Sequence, residues 1–226
     1  MLKYFTKILF IFIIPICTFS QESNVENDSI KYEQKYGLRV GFDLFKLYSD
    51  GFEINADYRL SNKIYIASEI GLSEKTIDEN YLNFTSKGTY IKTGVDYNMH
   101  TNWLDMQNMI FSGIRVGYSM FDQTINNYTI YDTNSQTWGE SIINIPISNT
   151  NLSSLWLELI IGIKAEILNN LFLGFNLEVK KMINSDSKNN IQNLHVPGFN
   201  KTFDGSSFGV GFGYKISYLI PIIKKQ

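Results

Sequence analysis

The feature that most constrains this chain is a period-two alternation that recurs in eight segments, each with one face free of charge. Residues 36–48 set Leu38, Val40, Phe42 and Leu44 on one face, and residues 51–61 set Phe52, Ile54, Ala56, Tyr58 and Leu60. Residues 63–73 give Ile64, Ile66, Ser68, Ile70 and Leu72; residues 88–98 give Thr89, Ile91, Thr93, Val95 and Tyr97. Four more runs follow, at 110–120, 155–165, 171–179 and 208–218. Alternation over such lengths specifies β-strands with two unlike faces. The eight apolar faces hold 42 positions, of which four are Ser or Thr and none is charged.

The opposite faces hold the charge. Their acids are Asp43, Glu53, Asp57, Glu69, Asp96, Glu158, Glu166 and Glu178, and their bases are Arg39, Arg59, Lys92, Arg115, Lys164, Lys180 and Lys215. Thirteen of the sixteen glycines also fall there. A solvent face has room for any side chain, and glycine weakens a strand, so a soluble sandwich or barrel has no use for glycine on its outer side. The interior of a narrow barrel is crowded and favours small residues beside a balanced charge set. The pattern therefore predicts a transmembrane, antiparallel, up-and-down β-barrel of eight strands, with its apolar face toward lipid and its charges in the lumen.

Connection lengths agree. The second, fourth and sixth joins are short, whereas the first, third, fifth and seventh span about 6, 14, 32 and 24 residues and emerge at one end. Long outer loops and short periplasmic turns are the layout of outer-membrane barrels. Tyr58, Tyr97 and Tyr218 near one rim and Phe52, Tyr118 and Phe208 near the other are placed to form aromatic girdles. Ten strands is the alternative count, because residues 128–131 and 142–147 are able to pair, either as an extra hairpin or as extensions of strands five and six.

Composition alone conceals this architecture. A mean hydropathy of −0.12, with 20 basic and 22 acidic residues among 226, describes a soluble domain. The dispersed basic residues offer no nucleic-acid footprint. No apolar run is long enough for a spanning helix. Residues 1–20 read as a cleaved signal peptide: Lys3 and Lys7 precede the apolar run 8–16, and Thr18 and Ser20 precede the cut. Cys17 raises a lipoprotein alternative, although Ile14, Pro15 and Ile16 lack the small residue expected beside a lipidated Cys. Residues 21–35 read as a flexible periplasmic leader, and 36–226 as the barrel domain. Removal of the signal leaves no thiol and a net charge of −4.

Several stretches also carry a family resemblance: Lys35-Tyr36-Gly37-Leu38-Arg39-Val40-Gly41, Asp96-Tyr97-Asn98 with Asn102-Trp103, Gln123-Thr124 with Tyr128-Thr129-Ile130-Tyr131, Leu157-Glu158-Leu159 with Gly162-Ile163-Lys164-Ala165-Glu166, and Pro197-Gly198-Phe199-Asn200-Lys201. Together they resemble a family of small outer-membrane barrels typical of Bacteroidetes-type bacteria, catalogued as a domain of unknown function. The resemblance covers nearly the whole mature chain and implies a fold and a location, but no catalytic residue.

Candidate chemistry is sparse. His100 and His195 are the only histidines, which excludes a His-rich metal centre. His195 shares the seventh connection with Asp204 and Ser206, the one set capable of nucleophilic catalysis in a lipid-modifying enzyme. Asp78, Glu79, Asp132 and Asp186 match no defined Ca²⁺ loop. The lumen charges read as mutual ion pairs, with a narrow ion-conducting pore as the alternative.

The expected protein is thus a monomeric, exported outer-membrane barrel with no cofactor, metal or catalytic site. Its expected partners are outer-membrane lipid, the barrel-assembly machinery during biogenesis, and an unnamed ligand of the surface loops 122–153 and 183–206. Its expected role is non-enzymatic, in envelope integrity or surface interaction.

Overall fold

The computed structural model describes residues 35–49, 51–101, 106–130, 141–188, 191–202 and 206–224. The expected signal peptide, and the leader apart from Lys35, lie outside these residues. The elements in order are β1 (Lys35–Asp43), α1 (Leu44–Ser49), β2 (Gly51–Arg59), β3 (Ile64–Glu79), β4 (Leu82–Thr101), β5 (Met109–Ile130), β6 (Ser141–Ile143), β7 (Ile147–Leu168), β8 (Leu171–Ser185), β9 (His195–Val196), β10 (Asn200–Lys201) and β11 (Phe208–Lys224). Eight of them close a ring in the order β1, β2, β3, β4, β5, β7, β8, β11, with β11 pairing back to β1 and every ladder antiparallel.

The alternating faces turn as the lipid-solvent argument requires. Ile54, Ile70, Val95, Ile114, Leu159, Leu177 and Val210 stand exposed on the outer wall, while the residues between them are buried inside. In water so broad an apolar surface would drive association, but against acyl chains it is the stable arrangement.

The outer ends depart from the expected segments. Strand one was expected to run to Tyr48, but β1 stops at Asp43, whose Oδ1 accepts the backbone N–H groups of Phe45 (2.8 Å) and Lys46 (3.0 Å). That cap satisfies donors a helix start leaves open, so residues 44–49 coil into α1. Leu44, expected on the lipid-facing strand, belongs to this helix instead.

The third connection is not a 14-residue loop. β3 and β4 remain paired from Ser73↔Gly88 to Glu79↔Leu82 and turn through Asn80 and Tyr81 alone. Cross-strand side chains hold the extension: Glu74 with Lys87 (2.7 Å), Thr76 with Thr85 (3.0 Å), and Asn83 donating to Asp78 (2.8 Å). Both of its faces are largely polar, so parity could not mark it.

Residues 128–130 extend β5, and Ile147 begins β7. β6 pairs with the tip of β5 (Tyr128↔Ile143), and residues 144–146, which include Pro146, separate it from β7. Proline has no N–H to give to a ladder, which fits the break. The extension reading of this segment therefore holds, rather than an added hairpin, and the ring has eight strands.

β4, β5 and β7 reach 20, 22 and 22 residues, against 9 for β1 and β2. A span needs about 9–11 residues, so this side of the wall rises well beyond the membrane. At the other end, β7 and β8 turn through Asn169 and Asn170, the latter in the left-handed region (φ 67°) that asparagine tolerates.

Candidate functional site

Strand parity sends the charged side chains inward, and the crowding of an eight-strand lumen brings them together. Nearest the termini, Arg39 (β1) binds Asp57 (β2) through Nε and Nη2, at 2.9 and 2.7 Å from Oδ1. Lys164 (β7) reaches Asp57 at 2.7 Å and Asp96 (β4) at 3.7 Å, and Arg115 (β5) pairs with Asp96 at 2.7 Å. The cations also rest on aromatic rings: Arg39 lies 4.8 Å from the Phe172 centroid, and Lys164 4.7 Å from that of Phe111.

A second cluster lies further outward. Lys92 (β4) contacts Glu69, stands 3.4 Å from Glu53, and has Glu158 and Glu178 each at 3.8 Å. Lys215 (β11) binds Glu69 at 2.6 Å and Glu53 at 3.4 Å, while Lys180 (β8) binds Glu178 at 2.8 Å and Glu158 at 3.7 Å. Tyr90 donates its hydroxyl to Glu53 at 2.6 Å. Charges this deep are tolerable only when each faces an opposite charge or a hydrogen-bond partner.

Carboxylate oxygens of Glu69, Glu158 and Glu178 lie within 4.8 Å of one another, close enough to hold a metal ion. The Lys92 ammonium is in ion-pair contact with all three, and supplies the positive charge a bound cation would bring.

The remaining three of the fifteen charges take other roles. Asp43 caps α1. Arg59 donates to the carbonyls of Ser61 (3.1 Å) and Asn62 (3.2 Å) and lies over Tyr36. Glu166 accepts the N–H groups of Gln107 (3.0 Å) and Asn170 (2.8 Å), lacing two turns together. Sequence reading missed Lys46, which α1 turns inward to donate to Asn200 Oδ1 at 3.0 Å. With Lys46 counted, eight cations, seven of them buried and Lys164 half-buried, face eight buried acids among the described residues. Only the Asp43 cap, read as a helix start, could have signalled it.

Above the ions sits an apolar plug. Val196, Pro197, Gly198 and Phe199 of the seventh connection fold into the lumen against Tyr90, Phe121, Leu152 and Trp156. This corrects the expectation that all of 183–206 is presented at the surface. Glycines make room for the rings: a Cβ on Gly117 would meet Trp156 at 2.1 Å, and one on Gly71 would meet Tyr90 at 2.3 Å. Gly198 lies in the left-handed region (φ 80°), where a side chain would strain the backbone. Barrel residues grip the segment: Lys180 donates to Gly198 O (2.7 Å), Ser86 to His195 O (2.8 Å), and Gln123 accepts from Leu194 N (2.8 Å).

His195 is buried in this plug while Ser206 is exposed, and Asp204 lies outside the described residues. His100 falls in β4, at a bulge opposite Ile110. Two lumen cavities, one beside Asp57, Arg115 and Lys164 and one beside Arg39, Tyr65 and Phe172, measure about 20 Å³ each. That is room for about one water.

The family model described as Domain of unknown function (DUF6048) matches residues 1–225. No curated protein matches the chain. Among solved structures it is similar to the crystal structure of Ail, the attachment invasion locus protein of Yersinia pestis, at 9% identity and a TM-score of 0.42, covering 83% of this chain and 98% of that one.

Proposed function

We propose that this chain, which belongs to the DUF6048 family, is an integral outer-membrane barrel that conducts nothing, catalyses nothing and serves as a rigid mount for the platform formed by the long ends of β3, β4, β5 and β7. The observation that carries this reading is the inverted polarity of the barrel. An exposed, uncharged belt surrounds an interior of paired charges, stable where the outside is hydrocarbon. The filled lumen supports a mount over a pore. The platform is what the molecule offers outward: polar hairpin ends such as Glu74, Asp78, Asn83 and Asn126, ordered by side-chain hydrogen bonds and ion pairs. Its role is interaction at the cell surface or support of the envelope.

Envelope fractionation combined with gel migration before and after heating tests the location. The chain is expected in the outer-membrane fraction, in a compact, fast-migrating form that heating converts. Recovery without detergent would overturn the reading. Planar bilayers holding folded protein are expected to stay silent, and deletion of the gene is expected to leave the lipid profile unchanged. Unitary currents altered by Arg115→Ala, or a lipid modification lost with His195→Ala, would replace it.

A further inference from the structure

The wall of the barrel changes material at one place. β1 ends at Asp43, paired with Lys215, and pairs with β2 only as far as Phe42↔Ile54. β11 continues outward to Phe208, and β2 starts at Gly51, so residues 208–214 and 51–53 run on without a β1 partner among the described residues. α1 occupies that gap, with the Phe45 ring 4.3 Å from that of Phe212 on the outer wall. Strand edges left open in hydrocarbon carry unsatisfied backbone groups, so a membrane barrel needs a cover here.

The cover faces the wrong way for water. Its charged residue, Lys46, points into the lumen, whereas Phe45, Leu47 and Tyr48 are 36, 57 and 91% exposed. A short helix bathed in water turns its lysine out and its leucine in. Its surroundings continue the same surface: Phe42, Phe52 and Phe212 are exposed around it, and nearby Lys181 lies 5.6 Å from the Phe208 ring, an aromatic-cation pair suited to headgroup level.

We infer that α1 is a lipid-contacting seal. It lies where acyl chains meet headgroups in the outer leaflet, holds Phe45, Leu47 and Tyr48 in lipid, and completes the wall where β1 is absent. The inference rests on the membrane-barrel reading above and names the partner of this one face.

The test uses full-length protein carrying Cys17→Ser, folded into phosphatidylcholine vesicles, with one fluorescent label at Tyr48→Cys, Ile161→Cys or Glu79→Cys. Lipids brominated near the headgroup end or near the chain ends report depth, and aqueous iodide reports water. The Tyr48 label is expected to be quenched most by shallow bromine and shielded from iodide. Ile161 should respond most to deep bromine, and Glu79 to iodide alone. If Ile161 is quenched by lipid while Tyr48 responds only to iodide, the seal is wrong and the barrel stands. A Tyr48 label shielded from both quenchers and crosslinking to a second copy overturns the seal in favour of a dimer interface. Absence of lipid quenching at Ile161 overturns the barrel and the seal together.

Discussion

Lys215 donates to Glu69 at 2.6 Å across 146 positions of the chain, so the last strand holds the third through the middle of the lumen. The contact belongs to a set of twelve lumen side chains that form ion pairs. Its weak point is Lys92, the ammonium that meets four carboxylates at once. Lys92→Met is expected to cost about 3–5 kcal/mol, the usual penalty for leaving buried charge without its partner. Urea unfolding in detergent, followed by gel migration, measures it. Adding Glu69→Gln should recover part of the loss, and an unchanged midpoint for the single variant would show that the network adds nothing.

On the outer wall, Ile161 is 60% exposed near the middle of the apolar run 155–165. Ile161→Arg is expected to destabilise the folded barrel by about 2–4 kcal/mol when refolded into lipid. The neighbouring Gly162 faces inward, where a Cβ would lie 2.7 Å from the Phe111 ring, so Gly162→Ala is expected to weaken the barrel in detergent and lipid alike. Normal folding of Ile161→Arg in vesicles would invert the assignment of faces.

Trp156 is fully buried against the plug, and its ring lies 6.0 Å from that of Phe199. Gly117→Ala places a methyl where that indole now sits, at an expected cost of about 1–3 kcal/mol. A red-shifted indole emission and faster proteolysis near residue 198 should accompany it. Unaltered emission would mean that the plug has slack the packing denies.

Outside the membrane, the hydroxyl and backbone N–H of Ser153 hold the Asp186 carboxyl below the usual carboxylate range. A group depressed in this way stabilises the fold above its unfolded pKa and ceases to do so as pH falls through its folded value. Side-chain NMR titration should show Asp186 ionising below ordinary aspartates, and Ser153→Ala should move it upward. An unmoved titration would leave these hydrogen bonds without effect.

The fold was legible because lipid imposes one rule on every spanning strand. Ile70 must face out and Glu69 in, and this holds wherever a strand crosses. The same rule reports a side but never a partner: parity cannot tell that Glu69 meets Lys215 rather than Lys180. It also fails where the solvent changes. Above the membrane, Thr76 and Thr85 pair on a hairpin face that is polar where the spanning strand was apolar, and α1 follows a local cap at Asp43 that overrides the alternation of Leu44. The plug was hidden for another reason. Val196 and Phe199 sit among polar loop residues, and only Tyr90, Phe121 and Trp156, contributed by three separate strands, make a place for them.

The lumen charges bear on the order in which the chain is made. In the outward cluster Glu53 and Glu69 are translated early, whereas Lys180 and Lys215 come late, so at that level an unfinished sheet holds two acids against the single cation Lys92. Lys92 alone cannot neutralise both. An open intermediate in hydrocarbon would hold Glu53 and Glu69 without Lys215, and the arrival of β11 supplies that charge. The charges that look like a burden in the finished molecule therefore favour the closed ring over an open sheet.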